Sequence, residues 1–259
     1  MTQLADRIAI VTGAGRGIGR KIAQRLAADG ADVVVTGPGN DGLDETASAV
    51  RASGRRAVTH VMDVTNEEQI AAVFLSAVQT LGRIDILVNN AAIIGPTRAV
   101  ASISRKDWED VLAVNLTGAF LCAREALKYM MPERSGKIIN IASIAGKLAY
   151  PLRSPYAVSK CGLIGLTSTL ASECGSYNIQ VNAICPGPVR GERMDSIIKS
   201  RARILGKTTA EIEDEYIGKT ALKRLVEPED VAAMVAFLAG READNITGQA
   251  LDVTAGYMI

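Results

Sequence analysis

Arg7-Ile-Ala-Ile-Val-Thr-Gly-Ala-Gly-Arg-Gly-Ile-Gly-Arg-Lys-Ile-Ala-Gln-Arg-Leu-Ala-Ala-Asp-Gly30 decides the fold. Residues 7–12 form an apolar run of strand length, and 20–28 repeat apolar positions at helical spacing before Gly30 stops them. Between them Gly13, Gly17 and Gly19 sit in a G-x-x-x-G-x-G spacing, with Arg16 and Ile18 interleaved. A strand, a glycine turn and a helix N-terminus together suit a pyrophosphate. Glycine lets the backbone approach it, and the helix end favours negative charge. The unit therefore predicts a dinucleotide-binding α/β fold.

The rest of the chain repeats this alternation. Strands are expected at 32–36, 56–61, 83–88, 137–142, 178–184 and 248–253, seven with the first. Helices are expected at 41–53, from a capping box Thr65-x-x-Glu68 to about 80, over most of 104–131 with Pro132 closing it, through 157–170, and from 227 to about 240. Strands alternating with helices make a doubly wound parallel sheet with helices on both faces. Ligands bind such sheets beyond the strand C-termini. Gly13–Gly19, Asp63, Asn89 and Ser143 all fall there.

The 259 residues fit one large α/β domain, 1–259, with a charged segment at about 191–218 long enough to be a substrate lid. A net charge of +1 argues against a nucleic-acid footprint, and no apolar run reaches membrane-spanning length. The N-terminus enters a strand too early for a signal peptide. Cys122, Cys161, Cys174 and Cys185 show no C-x-x-C pair and suit buried thiols in a reducing cytoplasm. His60 stands alone, so neither a zinc site nor a Ser–His triad is expected.

The end of the second strand, Thr36-Gly-Pro-Gly-Asn40, carries no carboxylate before Asp41. An acid there would take the ribose 2′-hydroxyl of NAD. Without one, and with Arg16 able to pair with a 2′-phosphate, NADP is favoured over NAD.

The chemistry concentrates in Ser143-Ile-Ala-Gly-Lys-Leu-Ala-Tyr-Pro-Leu-Arg-Ser-Pro-Tyr-Ala-Val-Ser-Lys160. Ser154 suits an N-cap, Pro155 the first helical position, and Tyr156 and Lys160 share one helix face. A phenol titrates near ~10. A neighbouring ammonium lowers that value, and two to three units require roughly 3–4 kcal/mol. Ser143, at a strand end, can hydrogen-bond the reacting oxygen. The set suits proton movement at an alcohol oxygen. Asn115, mid-helix, is expected to bond a partner. In the lid, Arg193, Asp195, Lys199, Arg201 and Arg203 suit a polar or anionic substrate.

With T-G-x-x-x-G-I-G at 12–19, Asp63-Val64, Asn89-Asn-Ala91, Asn115, Ser143, Tyr156-x-x-x-Lys160 and Pro186-Gly187, the chain resembles the classical short-chain dehydrogenase/reductase family over nearly its whole length. The thirteen residues from Ser143 to Tyr156 match the family's spacing. The resemblance implies a tetrad. Tyr156 is the general acid/base, Ser143 orients the carbonyl, Lys160 tunes the tyrosine and holds the nicotinamide ribose, and Asn115 holds a water in a proton relay. It further implies cofactor contacts at Gly13, Arg16, Gly17, Ile18, Gly19, Asp63, Val64, Asn89, Ala91, Tyr156, Lys160, Pro186, Gly187 and Val189. Asp63 would take the adenine amino group.

A sheet order of 3-2-1-4-5-6-7, a homotetramer and no metal follow from the same resemblance. Two departures stand out. Gly191 replaces the threonine of P-G-x-V-x-T, so the threonine's bond to the cofactor is either missing or supplied by a neighbour such as Arg190. The tail Val253-Thr-Ala-Gly256 lacks the family's acidic residue. The leading expectation is hydride transfer between NAD(P) and a secondary alcohol or ketone. A 3-oxoacyl-thioester reductase and a non-catalytic cofactor-binding regulator are the alternatives.

Overall fold

The computed structural model describes residues 3–258. Seven strands form one parallel sheet: β1 (Ile8–Val11), β2 (Asp32–Gly37), β3 (Ala57–Val61), β4 (Ile86–Asn89), β5 (Gly136–Ile141), β6 (Ile179–Pro186) and β7 (Ala250–Val253). Their order is β3-β2-β1-β4-β5-β6-β7, as the resemblance implied. Pairing registers run Ala9 with Val33 on one side and Ala9 with Ile86 on the other.

The helices are α1 (Gly17–Ala28), α2 (Leu43–Ala52), α3 (Glu67–Leu81), α4 (Arg105–Leu112), α5 (Gly118–Glu133), α6 (Ser154–Cys174), α7 (Glu192–Leu205), α8 (Thr209–Gly218) and α9 (Pro228–Ala239). Successive strand residues feed opposite faces. Ala9, Val11, Val33 and Val35 pack with α1 and α9. Ile8, Ile10 and Val34 pack with α3, α5 and α6. Helices cover both faces, which is why the central strands read as largely apolar runs.

At the N-terminal sheet edge the buried Asp32 and Asp85 anchor the loops. Asp32 meets Arg55 at 3.0 Å and Arg56 at 2.6 Å. Asp85 meets Arg7 at 2.8 Å and Arg83 at 2.7 Å. Burial alone would raise the Asp32 carboxyl, but hydrogen bonds from Arg56 and the nearby guanidinium charges outweigh it and lower its pKa.

Four local expectations change. The cap of α3 is Asn66, whose side chain accepts from the Gln69 amide; Thr65 instead bonds Asp63. Arg153 is the N-cap of α6, and Ser154 is already helical, its hydroxyl buried without a partner. Pro132 does not close α5, which runs to Glu133. The stretch from 104 to 131 is interrupted by a π-helical turn, Ala113–Thr117. The charged 191–218 segment is the helix pair α7–α8. It is seated through Met194, Ile198, Ile212 and Tyr216 on Ile144, Leu225 and Tyr257.

Candidate active site

Parallel strands put every strand C-terminus on one edge, and the expected site residues line it. Gly13 to Gly19 follow β1, Asp63 and Val64 follow β3, Asn89 ends β4 with Ala91 beyond it, and Ser143 follows β5. Pro186 ends β6, with Gly187 and Val189 next.

The glycine turn is held from behind. Asn90 Nδ2 donates to the carbonyls of Thr12 and Gly13, both at 2.9 Å, while the Thr12 hydroxyl accepts from the amides of Asn90 and Ala91. Asn90 is thus a support that sequence reasoning passed over, although it stands inside the Asn89–Ala91 motif. Asn89 faces inward. Its Nδ2 donates to Asn140 Oδ1 at 2.9 Å and Ala119 O at 3.2 Å, and its own Oδ1 is buried without a partner.

These residues fit a dinucleotide. Gly17 has φ +54 and no atom within 4 Å of where a Cβ would stand. Helix α1 starts there with no side-chain cap and no acid in its first turn. The amides at that end are left to an anion. The Asp63 carboxylate stays exposed, turned back only to Thr65. Arg16 has 85% of its side chain exposed, and its one ion pair among the described residues is to Glu192 at 3.8 Å.

Tyr156 and Lys160 share the inner face of α6, with Lys160 Nζ 5.7 Å from the Tyr156 ring centre. Lys160 is 3% exposed, and its ammonium donates to Ile141 O at 2.6 Å. Burial, aided by the Arg193 charge, brings the Lys160 pKa down to about 7. The same burial raises the Tyr156 phenol, against a downward pull from Arg193 and the Ser143 hydroxyl. Arg193 of α7 is thus a second cation acting on both groups. Arg193 is fixed by donating to Ala92 O at 2.7 Å.

Ser143 Oγ accepts from the Ala145 amide at 3.1 Å in the turn after β5. Gly146 lets that turn lie on α6, since a Cβ there would fall 2.8 Å from the Lys160 backbone.

Asn115 is buried in the π-turn. Its Oδ1 accepts from Ile93 N at 2.8 Å, and its Nδ2 donates to Ile93 O at 2.9 Å and to Ser159 Oγ at 3.0 Å. Ser159 donates onward to Tyr156 O at 2.7 Å. The side chain therefore ties the β4 loop to the catalytic helix and keeps one Oδ1 lone pair free.

Gly191 has φ +132, a backbone a threonine would adopt only under strain. The Arg190 guanidinium lies 3.0 Å from Glu227 and 3.8 Å from Glu213. His60, the penultimate residue of β3, is bonded to Ser76 at 3.1 Å. No group of three metal-ligating side chains occurs among the described residues, and all four cysteines are free. None of the described helices is long and apolar enough to cross a membrane.

A Rossmann-type sheet with a dinucleotide turn, and a Ser, Tyr and Lys set on the adjoining strand end and helix, define a nicotinamide-dependent oxidoreductase of alcohol and carbonyl groups. Comparison with known proteins agrees. A family model described as enoyl-(acyl carrier protein) reductase matches residues 13–258. The chain is 40% identical over 253 residues to a short-chain dehydrogenase/reductase of Armillaria gallica, covering 96% of this chain and 95% of the relative. An NAD+-bound xylitol dehydrogenase superposes with TM-score 0.94 at 32% identity, covering 97% and 98%. A variant of actinorhodin polyketide ketoreductase with NADPH does so with TM-score 0.94 at 37% identity, covering 99% and 98%. The chain belongs to the short-chain dehydrogenase/reductase family.

Proposed function

We propose that this enzyme interconverts a small secondary alcohol and its ketone with NADP in preference to NAD, using Ser143, Tyr156, Lys160 and Asn115. The observation that carries the reading is the buried Lys160 beside the half-buried Tyr156 on one face of α6, its ammonium 5.7 Å from the ring centre, at the edge where the glycine turn opens. The nicotinamide supplies or accepts the hydride. The protein supplies the rest. Ser143 Oγ hydrogen-bonds the substrate oxygen and fixes its place. Tyr156 donates a proton to that oxygen in reduction and removes it in oxidation. Lys160 and Arg193 favour the phenolate, and Lys160 holds the ribose. A water on the free Oδ1 lone pair of Asn115 returns the proton to solvent. Gly13, Gly17, Ile18 and Gly19 hold the pyrophosphate, Asp63 and Val64 the adenine, and Asn89, Ala91, Pro186, Gly187 and Val189 the nicotinamide half. Arg16 is the one cation in the glycine turn free to meet a 2′-phosphate.

The chain acts as one domain with α7–α8 as its substrate lid. It works as a homotetramer in the cytoplasm, supported by Phe120 and Val158, which leave apolar side chains 40% and 45% exposed on α5 and α6, and by the free thiols. Sedimentation at four times the chain mass tests the assembly.

The functional test is NADPH absorbance against a panel of ketones. Tyr156→Phe is expected to bind cofactor as wild type does and to lose about 10²–10⁴ in kcat. Near-wild-type turnover by this variant would remove Tyr156 from the chemistry. A 3-oxoacyl thioester is the second reading, favoured by the polyketide ketoreductase likeness. A kcat/KM for such a thioester well above that for every small ketone would select it.

A further inference from the structure

A cleft of about 290 Å³ opens between the loop after β4, the start of α6 and helix α7. Its walls include Arg98, Arg153, Arg203, Ser196 and Ser200. Three guanidiniums line it, and two of them, Arg153 and Arg203, have no carboxylate within 4.0 Å among the described residues. Arg98 reaches Asp107 only at 3.9 Å, with 58% of its side chain exposed. Arg203 is exposed and makes no ion pair within 4.0 Å among the described residues.

Arg153 is the residue at odds with its surroundings. It is 4% exposed, yet it has no carboxylate within 4.0 Å among the described residues. Among the described residues its guanidinium makes one hydrogen bond, from Nη1 to Gly95 O, and it is long, 3.4 Å. A guanidinium carries five N–H donors, and buried charges are ordinarily paired or coordinated. The groups facing it are the phenols of Tyr150, Tyr216 and Tyr156 and a second cation, Arg201. Burial lowers the Arg153 pKa, the direction expected of a cation held ready for a partner it lacks. A fold keeps such a group when a ligand supplies the missing charge.

We infer that this cleft binds a compact oxyanion carried by the substrate itself, a carboxylate, phosphate or sulfonate, with Arg153 as its buried anchor and Arg203 closing over it from α7. The inference rests on the alcohol/ketone reading above and names the substrate class for it. Arg153 stands three residues before Tyr156, whose phenol is among the groups facing it, so the cleft adjoins the reaction centre. The substrate is a short keto or hydroxy acid, or the corresponding phosphate or sulfonate. Arg203 and the two serines ride on α7, so seating the lid and binding the anion are one event.

The test has two arms. In the first, kcat/KM is measured for size-matched small ketones bearing a terminal carboxylate, phosphate, sulfonate or neutral amide. In wild type the anionic members are favoured, and their ranking identifies the oxyanion. Arg153→Met is expected to lower the anionic-to-neutral ratio on the order of 10²-fold, mainly through KM, as loss of a buried charge partner does. Arg203→Ala, at an exposed position, is expected to lower it several-fold.

In the second arm, malonate and inorganic phosphate are titrated by calorimetry onto the NADP+-loaded protein, wild type and variants. This arm needs no turnover, so a protein that reduces no ketone yet binds malonate through Arg153 would refute the reaction and keep the site. Anion binding undiminished in Arg153→Met, or a ratio unchanged in both variants, would overturn the inference. Arg153→Met is also expected to melt no lower than wild type, because removing an unpaired buried charge for an apolar side chain relieves the fold. A markedly lower melt would mean that Arg153 has a structural partner, and would overturn it too.

Discussion

Lys160→Met is expected to change how stability depends on pH, and the size follows from where the lysine sits. Lys160 is 3% exposed with one carbonyl partner, and burial followed by the Arg193 charge brings its pKa to about 7. In the unfolded chain it titrates near ~10.4. The folded state therefore binds fewer protons between those values, and stability from this group rises with pH across them. Above ~10.4 its full contribution is present. As pH falls through about 7 the contribution is gone, and the fold must hold a desolvated ammonium. Each unit is worth about 1.4 kcal/mol, so from pH 7 to pH 9 wild type gains roughly 2–3 kcal/mol that Lys160→Met cannot gain. Urea unfolding of both proteins without cofactor, at half-unit pH steps, reads this difference, because groups not coupled to Lys160 cancel in it. A difference constant from pH 7 to 9 would show that the buried amine is not depressed. Arg193→Ala should move the onset upward, since it removes the second cause.

Three further outcomes are expected. Arg16→Ala should weaken NADPH roughly ten- to a hundredfold and leave NADH nearly unchanged, as removal of a charge-assisted hydrogen bond does, measured by fluorescence titration. Asp32→Asn should cost about 1–3 kcal/mol at neutral pH. Because the Asp32 pKa is lowered in the fold, that advantage is present above the ordinary carboxylate range near ~4 and lost as pH falls through the lowered value, so the denaturation midpoints of the two proteins should converge in acid. The lid should exchange amide hydrogens faster without ligand than in a ternary complex; equal protection of 191–218 in both states would remove the lid.

The sheet was legible because strands buried on both faces are largely apolar, and Ile8–Val11 and Val33–Val35 obey that rule, with β5 broken only at Asn140 from Ile138 to Ile141. The glycine turn and the Tyr156–Lys160 pair were legible because local spacing alone sets their geometry. The sheet order came with the family resemblance, since no pairing rule in the chain distinguishes it. What was not legible depends on contacts distant in sequence. Asn66 caps α3 because Thr65 is taken by Asp63. Burial lowers the Lys160 pKa, and no window of residues reveals that burial. Arg153, one residue before an expected cap, reads like any loop arginine until the fold encloses it. Its only sequence signal was its place three residues before the catalytic tyrosine.

The π-turn at Ala113–Thr117 has a consequence of its own. A turn closed by i→i+5 bonds holds one residue more than an α-turn, and such bulges are costly insertions that persist where something uses them. Removing one residue between 113 and 117 would let α4 and α5 fuse into a single regular helix with better hydrogen bonds. It would also rotate one half against the other by about 100°, the angle of one α-helical residue. Asn115 would then leave Ile93 and Ser159, and the Tyr156 carbonyl would lose its link to the sheet. A shortened chain would form a more regular helix with its site out of phase.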